Sequence, residues 1–350
     1  MAELTFRDAV RVGLDQEMAR DETVVLLGED ISSGGVFKTT TGLRERFGPE
    51  RVWDTPISEQ AILGAAMGAA MAGLRPVAEI MFADFYAVCW DLVVNEIAKT
   101  RYMTGGQVSL PLVMRGASGF GSLGFGSQHG QSAENWAMCV PGLKIVSPST
   151  PAEMAGLLAA AIRDADPVLV FEHKALYGAK QTVPDGEHLV PLGTARVVRE
   201  GSDVTLVGLS ITVRHCEQAA DTLAAEGIDA HVLDLRSLVP LDAQAVLASV
   251  ARTGRLVVVE ENPGQLGWGA AVASIVAEEA FDDLVAPITR VTGGNIPWPV
   301  ARELEAEVDV SPERVVAAVR NLMKREPSTR AVGALRRSRS QEGVQHADQR

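Results

Sequence analysis

Short apolar runs recur along the chain, and each gives way to an alanine-rich stretch with helical spacing. "TVVLLGE" (23–29), "RPVAEIMF" (75–82), "LPLVMRG" (110–116), "LKIVSPS" (143–149) and "PVLVFEH" (167–173) read as buried strands. Residues 59–73, 84–103 and 151–165 read as helices between them. Near-continuous apolar strands are covered on both faces, and strand–helix alternation builds a parallel sheet. A looser stretch bearing Pro and Gly near 182–203 interrupts the pattern. The alternation then restarts, with strands at 204–210, 230–236, 255–261 and 288–293 and helices at 213–226, 242–252, 268–281 and 311–325. The expected organisation is an α/β domain over 1–185, a linker over 186–200 and a second, smaller α/β domain over 201–326. Residues 327–350 are rich in Arg, Ser and Gln without apolar periodicity and read as a disordered tail.

Composition narrows the classes. A length of 350 residues suits two domains, and 47% hydrophobic with 22% charged residues supports packed cores. A net charge of -13 argues against a nucleic-acid partner, which would want a basic face. Cys89, Cys139 and Cys216 are widely spaced and form no C-x-x-C, which fits a reducing cytosol and carries no metal signature. The first residues, "MAELTFRDAV", lack the apolar core of a signal peptide. The uncharged run Gln60 to Leu74 is shorter than the roughly 20 residues of a membrane span. A cytoplasmic protein with no membrane partner is expected.

Two segments carry candidate chemistry. "GFGSLG" (119–124) satisfies G-x-G-x-x-G after a strand, but Ser122 to Gly130 stays rich in glycine and polar residues, so no helix follows to receive a pyrophosphate. What remains is a glycine-rich loop bearing His129, an imidazole suited to proton transfer near neutral pH; a surface loop with an incidental histidine is the plainer reading. The second segment is "DTPISEQAILGAAMGAAMAG" (54–73), where Glu59 opens a helix with no further charge until Arg75. Acids in a first helical turn are favoured by the helix dipole, whatever else they do. Gly64, Gly68 and Ala72 lie four apart on one side of that helix. Glycine costs a helix about 1 kcal/mol relative to Ala, so two on one face point to a close neighbour, at a helix crossing or a subunit interface.

Longer motifs then accumulate in one order: "GED" (28–30), "GGVFKTTTGL" (34–43), "FGPERVWDTPISE" (47–59), "GLRPVAEIMFADF" (73–85), "NEIAKTRYMTGGQ" (95–107), "QHGQS" (128–132), "PGLKIVSPSTPAE" (141–153), "AAIRDADPVLVFE" (160–172) and "VTLVG" (204–208). On these the chain resembles, across about residues 3–325, the beta subunit of the thiamine-diphosphate-dependent 2-oxo acid dehydrogenase decarboxylase component, a family with pyruvate, branched-chain and acetoin members. The resemblance implies two doubly wound domains, a transketolase-like pyrimidine-binding domain and a transketolase C-terminal domain. It implies that Glu59 hydrogen-bonds the cofactor's aminopyrimidine nitrogen and favours the imino tautomer that deprotonates the thiazolium carbon. Phe85 matches an aromatic that packs on the pyrimidine, and Ile57 an apolar contact beside it. Met81 stands where relatives often carry Gln. His129 matches a histidine that handles the decarboxylated intermediate and acyl transfer, with Gly130 after it where Ser is usual. The stretch "AAIRDADP" resembles a potassium loop, with Leu112, Ala161, Ile162, Asp164 and Asp166 as the implied ligands.

The family's diphosphate and magnesium motif begins Gly-Asp-Gly, and no Gly-Asp-Gly occurs in the chain. The resemblance therefore implies half an active site. An alpha subunit would hold the diphosphate and magnesium, a second beta subunit would complete an alpha2beta2 assembly, and a lipoyl acyltransferase core would accept the acyl group. Glu59, Phe85 and His129 are all present, which favours a catalytic subunit over a scaffold of the same fold. "QH" at 128–129 and "FEHKALYG" at 171–178 look more like pyruvate or acetoin members than branched-chain ones.

Overall fold

The computed structural model describes residues 2–120, 124–184, 186–265 and 267–325. The expected tail lies outside them. The first half carries β1 (Ala2–Thr5), β2 (Val24–Gly28), β3 (Val52–Asp54), β4 (Arg75–Phe82), β5 (Val113–Ser118), β6 (Lys144–Val146), β7 (Val168–His173) and β8 (Lys180–Val183). The second carries β9 (Arg196–Arg199), β10 (Val204–Gly208), β11 (Ala230–Asp234), β12 (Ser237–Val239), β13 (Leu256–Pro263) and β14 (Thr289–Gly293). A seven-stranded sheet runs in the order β12-β6-β7-β5-β4-β2-β3, and a five-stranded sheet in the order β14-β13-β10-β11-β9. Both are parallel except at β12 and β9, which pair antiparallel at an edge. Helices cover both faces, so the architecture is two doubly wound α/β units.

The central strands are buried on both faces, as their β-branched runs require: β2, β5 and β7 are buried throughout. Between strands the helices follow ordinary capping chemistry. In "SPSTPAE" the Thr150 hydroxyl caps the helix Pro151–Arg163 by accepting from the Glu153 amide, with Pro151 at the first position. One strand crosses between the units: β12, from the second half, pairs with β6 of the first sheet.

Residues 84–103 depart from the continuous helix expected. The chain makes a 3-10 turn over Ala83–Cys89, a π-helical turn over Leu92–Ile97 and a short α-helix over Thr100–Met103. Tyr86, Cys89, Val93 and Ile97 are all buried at roughly helical spacing, so the apolar pattern cannot tell one winding from another. Such irregular turns gather beside functional sites, and this one places Phe85. A register shift between Ile80 and Phe82 in the β4–β5 pairing breaks the ladder at the same corner.

Candidate functional site

The carboxyl ends of β2, β4, β5 and β7 meet on one edge of the larger sheet, the usual place for a ligand in an open α/β sheet. The helix Glu59–Met71 packs across β4 and begins there. Its N-cap is Ser58, whose side chain makes no capping bond, and Glu59 is the acid of its first turn. Glu59 is 8% exposed, and among the described residues no side chain hydrogen-bonds its carboxylate. Its charge reaches two neighbours. Burial and then Glu59 push Glu29 above the usual carboxylate range, and burial and then Glu59 push the Cys89 thiol up to about 12. Glu29, the middle residue of "GED" at the end of β2, thus stands beside Glu59 as a second buried acid.

Of the expected cofactor contacts, Ile57 is 82% exposed in front of the helix, while Met81 and Phe85 are half-buried. His129 is half-buried and meets aromatic edges on two sides: Phe82 at 4.7 Å and Phe85 at 5.3 Å between ring centroids. The structure therefore brings His129 and Phe85 together, with Phe82 as a partner that the sequence reading did not name.

The loop bearing His129 is tied at its base and its rim. The Gly119 amide donates to the Gln131 carbonyl at 3.2 Å, bringing those two residues together. Asp84 accepts from the backbone and side chain of Gln131 at 3.1 and 2.9 Å. Glu261, from β13 in the second unit, accepts from the Phe120 amide at 3.4 Å and from the Ser132 hydroxyl, and faces His173 Nε2 at 3.1 Å. The Ser127 hydroxyl donates to the Trp298 carbonyl, and Trp298 stacks on Phe120 at 4.1 Å. Gly119 is explained by packing. At Gly119, with φ +73°, an added Cβ would fall 2.1 Å from the His173 ring.

The five residues expected to ligate potassium each have partners within the chain. The Ile162 and Asp164 carbonyls accept from the Arg75 guanidinium at 2.9 and 3.0 Å. The Leu112 and Ala161 carbonyls accept from the Val168 and Asp164 amides. The Asp166 carboxylate pairs with Arg101 and, at 3.2 Å, with Lys144. The Arg75 guanidinium thus already serves two of these carbonyl oxygens.

The comparisons agree along the chain's length. Residues 2–180 match the transketolase pyrimidine-binding domain and residues 193–315 the transketolase C-terminal domain. The chain is 44% identical to the mitochondrial pyruvate dehydrogenase E1 component subunit beta of Dictyostelium discoideum, covering 92% of each. It is likewise 44% identical to the 2-oxoisovalerate dehydrogenase subunit beta of Bacillus subtilis, covering 92% of this chain and 99% of that one. The chain belongs to the thiamine-diphosphate-dependent E1 beta subunit family. The acetoin:2,6-dichlorophenolindophenol oxidoreductase subunit beta of Cupriavidus necator is also 44% identical, over 92% of this chain and 98% of its own. Among solved structures, a split gene transketolase described as an inactive beta4 tetramer superposes with a TM-score of 0.77 at 26% identity, covering 91% of this chain and 98% of that one.

For an E1 beta subunit, the helix behind Glu59 has an informative outer face. An added Cβ at Gly68 would meet nothing within 4 Å, and at Gly64 only a Leu92 methyl at 3.8 Å. Among the described residues, Gly64 is in ordinary contact with Leu92 of the π-helical turn and Gly68 meets no close neighbour. Ile57 and Met71 are exposed at the two ends of the same helix. Among the described residues, no helix is long and apolar enough to cross a membrane.

Proposed function

We propose that this beta chain supplies the aminopyrimidine half of a thiamine diphosphate site in a 2-oxo acid dehydrogenase acting on a small substrate of the pyruvate or acetoin type. The observation that carries the reading is Glu59: a buried carboxylate at a helix N-terminus, without a hydrogen-bond partner among the described residues, beside exposed Ile57 and half-buried Phe85. A carboxyl group in a buried residue normally finds a partner, and a ring nitrogen of the pyrimidine, accepting the carboxyl proton, would be that partner. When bound, the cofactor supplies a thiazolium carbon that attacks a ketone and acts as an electron sink.

The chain's own residues then have separable roles. Glu59 holds a proton at the pyrimidine edge. Phe85 offers an aromatic face, Ile57 and Met81 offer apolar contacts, and together they exclude water from the carboxylate. His129, steadied against Phe82 and Phe85, handles a proton at the substrate oxygen and faces an incoming lipoyl arm. The diphosphate and magnesium are assigned to an alpha subunit, because the chain has no Gly-Asp-Gly. The open face of the helix Glu59–Met71 is its proposed contact. A second beta subunit and a lipoyl acyltransferase core complete the proposed assembly. Potassium is left out of the site, since Arg75 already serves the Ile162 and Asp164 carbonyls. The proposed location is the cytoplasm, and the unit boundaries are placed at 1–185 and 201–326.

Co-expression with an alpha subunit carrying Gly-Asp-Gly tests the reading, with pyruvate, acetoin and 2-oxoisovalerate assayed in parallel. Turnover is expected only from the pair, with pyruvate or acetoin favoured. Glu59→Gln should remove at least about 100-fold of kcat, the scale of a lost positioned proton-transfer group. Full turnover by Glu59→Gln, or by the beta chain alone, would refute the proposal.

A further inference from the structure

Lys174 has no part in the chemistry assigned so far, yet it is among the most enclosed polar groups beside the site. It follows directly on β7, and the whole residue is 3% exposed. Among the described residues its ammonium has no hydrogen-bond partner. What it does have are two aromatic faces. Nζ lies 5.8 Å from the centroid of Phe82 and 5.5 Å from that of Phe125. An ammonium within about 6 Å of a ring face is attracted to it, more strongly when water is excluded.

Both rings lead to His129. Phe82 carries the histidine on its edge at 4.7 Å, and Phe125 belongs to the same glycine-rich loop as His129. Phe125 also meets Phe82 at 5.7 Å and Phe37 at 6.2 Å. The loop's polypeptide offers little rigidity of its own: Gly124 and Gly126 both have positive φ, and Gly130 follows His129. Its two ends are held by hydrogen bonds to Asp84 and Glu261. Its middle is held by the aromatic cluster. We propose that Lys174 is a positioning residue for His129: its ammonium clamps Phe82 and Phe125 together and so fixes the loop that presents the imidazole. The proposal rests on the proton-handling role given to His129 above.

The charges around Lys174 fit a clamp that needs its proton. Asp84 on the 3-10 turn, Glu134 at the start of the helix Glu134–Met138 and Glu261 on β13 face it electrostatically, and His173 precedes it in the chain. None of these carboxylates bonds to it, so they favour the charge without competing for its direction. Burial pulls the ammonium down to about 8, and these three acids oppose that pull. A lysine with a folded pKa below its unfolded value destabilises the fold while charged, and the penalty fades as pH rises from about 8 towards 10.5. A group kept at that cost and given no salt bridge is better explained by the site than by the fold.

The test uses Lys174→Met and Lys174→Arg in the beta chain assembled with its alpha subunit. Lys174→Met should keep or raise the apparent Tm at pH 7, yet lower kcat about tenfold or more with KM within about twofold, as expected for a displaced catalytic group. Amide exchange over residues 124–130 should quicken. Lys174→Arg, charged at every accessible pH, should restore most of kcat and move the alkaline fall in kcat upward from about pH 8. Wild-type kcat in Lys174→Met together with wild-type exchange over 124–130 would overturn the proposal, as would equal impairment of the Arg variant with an unchanged alkaline limb. Should the assembled protein turn over none of the substrates, the reading of His129 fails, while the exchange comparison still decides the clamp.

Discussion

Replacing Glu261 by Gln should cost the protein much of what one buried carboxylate contributes and should loosen the His129 loop. The carboxylate lies between the two units, where the Phe120 amide and the Ser132 hydroxyl donate to it and His173 Nε2 faces it at 3.1 Å. Burial alone would push this acid up. The His173 ring and the donors outweigh burial and hold it at about 2, against an ordinary value of 4.5. An acid with a depressed folded pKa stabilises the fold fully above its unfolded value and loses that contribution as pH falls towards the folded one. The gap between 4.5 and about 2, at ~1.4 kcal/mol per pH unit, corresponds to about 3 kcal/mol at neutral pH. Gln keeps the volume and one acceptor oxygen but not the charge, so most of that figure should be lost. For a protein of this size the loss corresponds to a Tm lower by about 3–4 °C. Calorimetry of wild type and Glu261→Gln at pH 7 and at steps below pH 4.5 reads this directly. The gap between them should narrow as the wild-type carboxylate takes up its proton. A variant within about 1 °C of wild type at pH 7 would refute the reasoning, and so would a gap that widens in acid.

Two further perturbations separate assembly from local structure. Arg75→Met strips the donor from the Ile162 and Asp164 carbonyls and should cost about 1–3 kcal/mol. Wild-type Tm should be equal in potassium and choline chloride, while the variant gains stability from potassium; a potassium-specific rise in the wild type would return the metal to this loop. Gly68→Leu should leave the free beta chain as stable as before or raise it by about 1 kcal/mol through helix propensity. The same change should abolish co-purification with an alpha subunit, and survival of the complex would remove that helix face from the interface.

Most of the long buried strands and several helices were legible because their apolar period is strong, and nearly all of these end within two or three residues of the runs that predicted them; the helix Phe6–Arg20 was not predicted. The edge strands β1, β3, β8, β9 and β12 were not. Each spans only three or four residues and, β12 apart, is largely exposed or half-buried, so it has no apolar run to announce it. Within the pattern, residues 84–103 failed for the opposite reason: the burial of Tyr86, Cys89, Val93 and Ile97 satisfies a helix and its over- and under-wound relatives alike.

The candidate site divides along the same line between local and non-local signal. Glu59 was visible because its chemistry is written locally, as one charge before an uncharged, small-sided helix. Lys174 and Glu261 look ordinary in "FEHKALYG" and "VVVEENPG", since their meaning comes from distance along the chain: Glu261 reaches Ser132 across 129 positions, and Lys174 reaches Phe82 from the next strand but one. The positions that decide how His129 is held therefore lie on other elements than His129 itself. A sequence reading can propose the imidazole. It takes the fold to show that two buried acids and one buried lysine surround its loop, and that the lysine is the one without a hydrogen-bond partner among the described residues. Asp84 and Glu261 accept defined hydrogen bonds and explain the loop's ends, so the ammonium over Phe82 and Phe125 is the group whose presence the packing alone does not require.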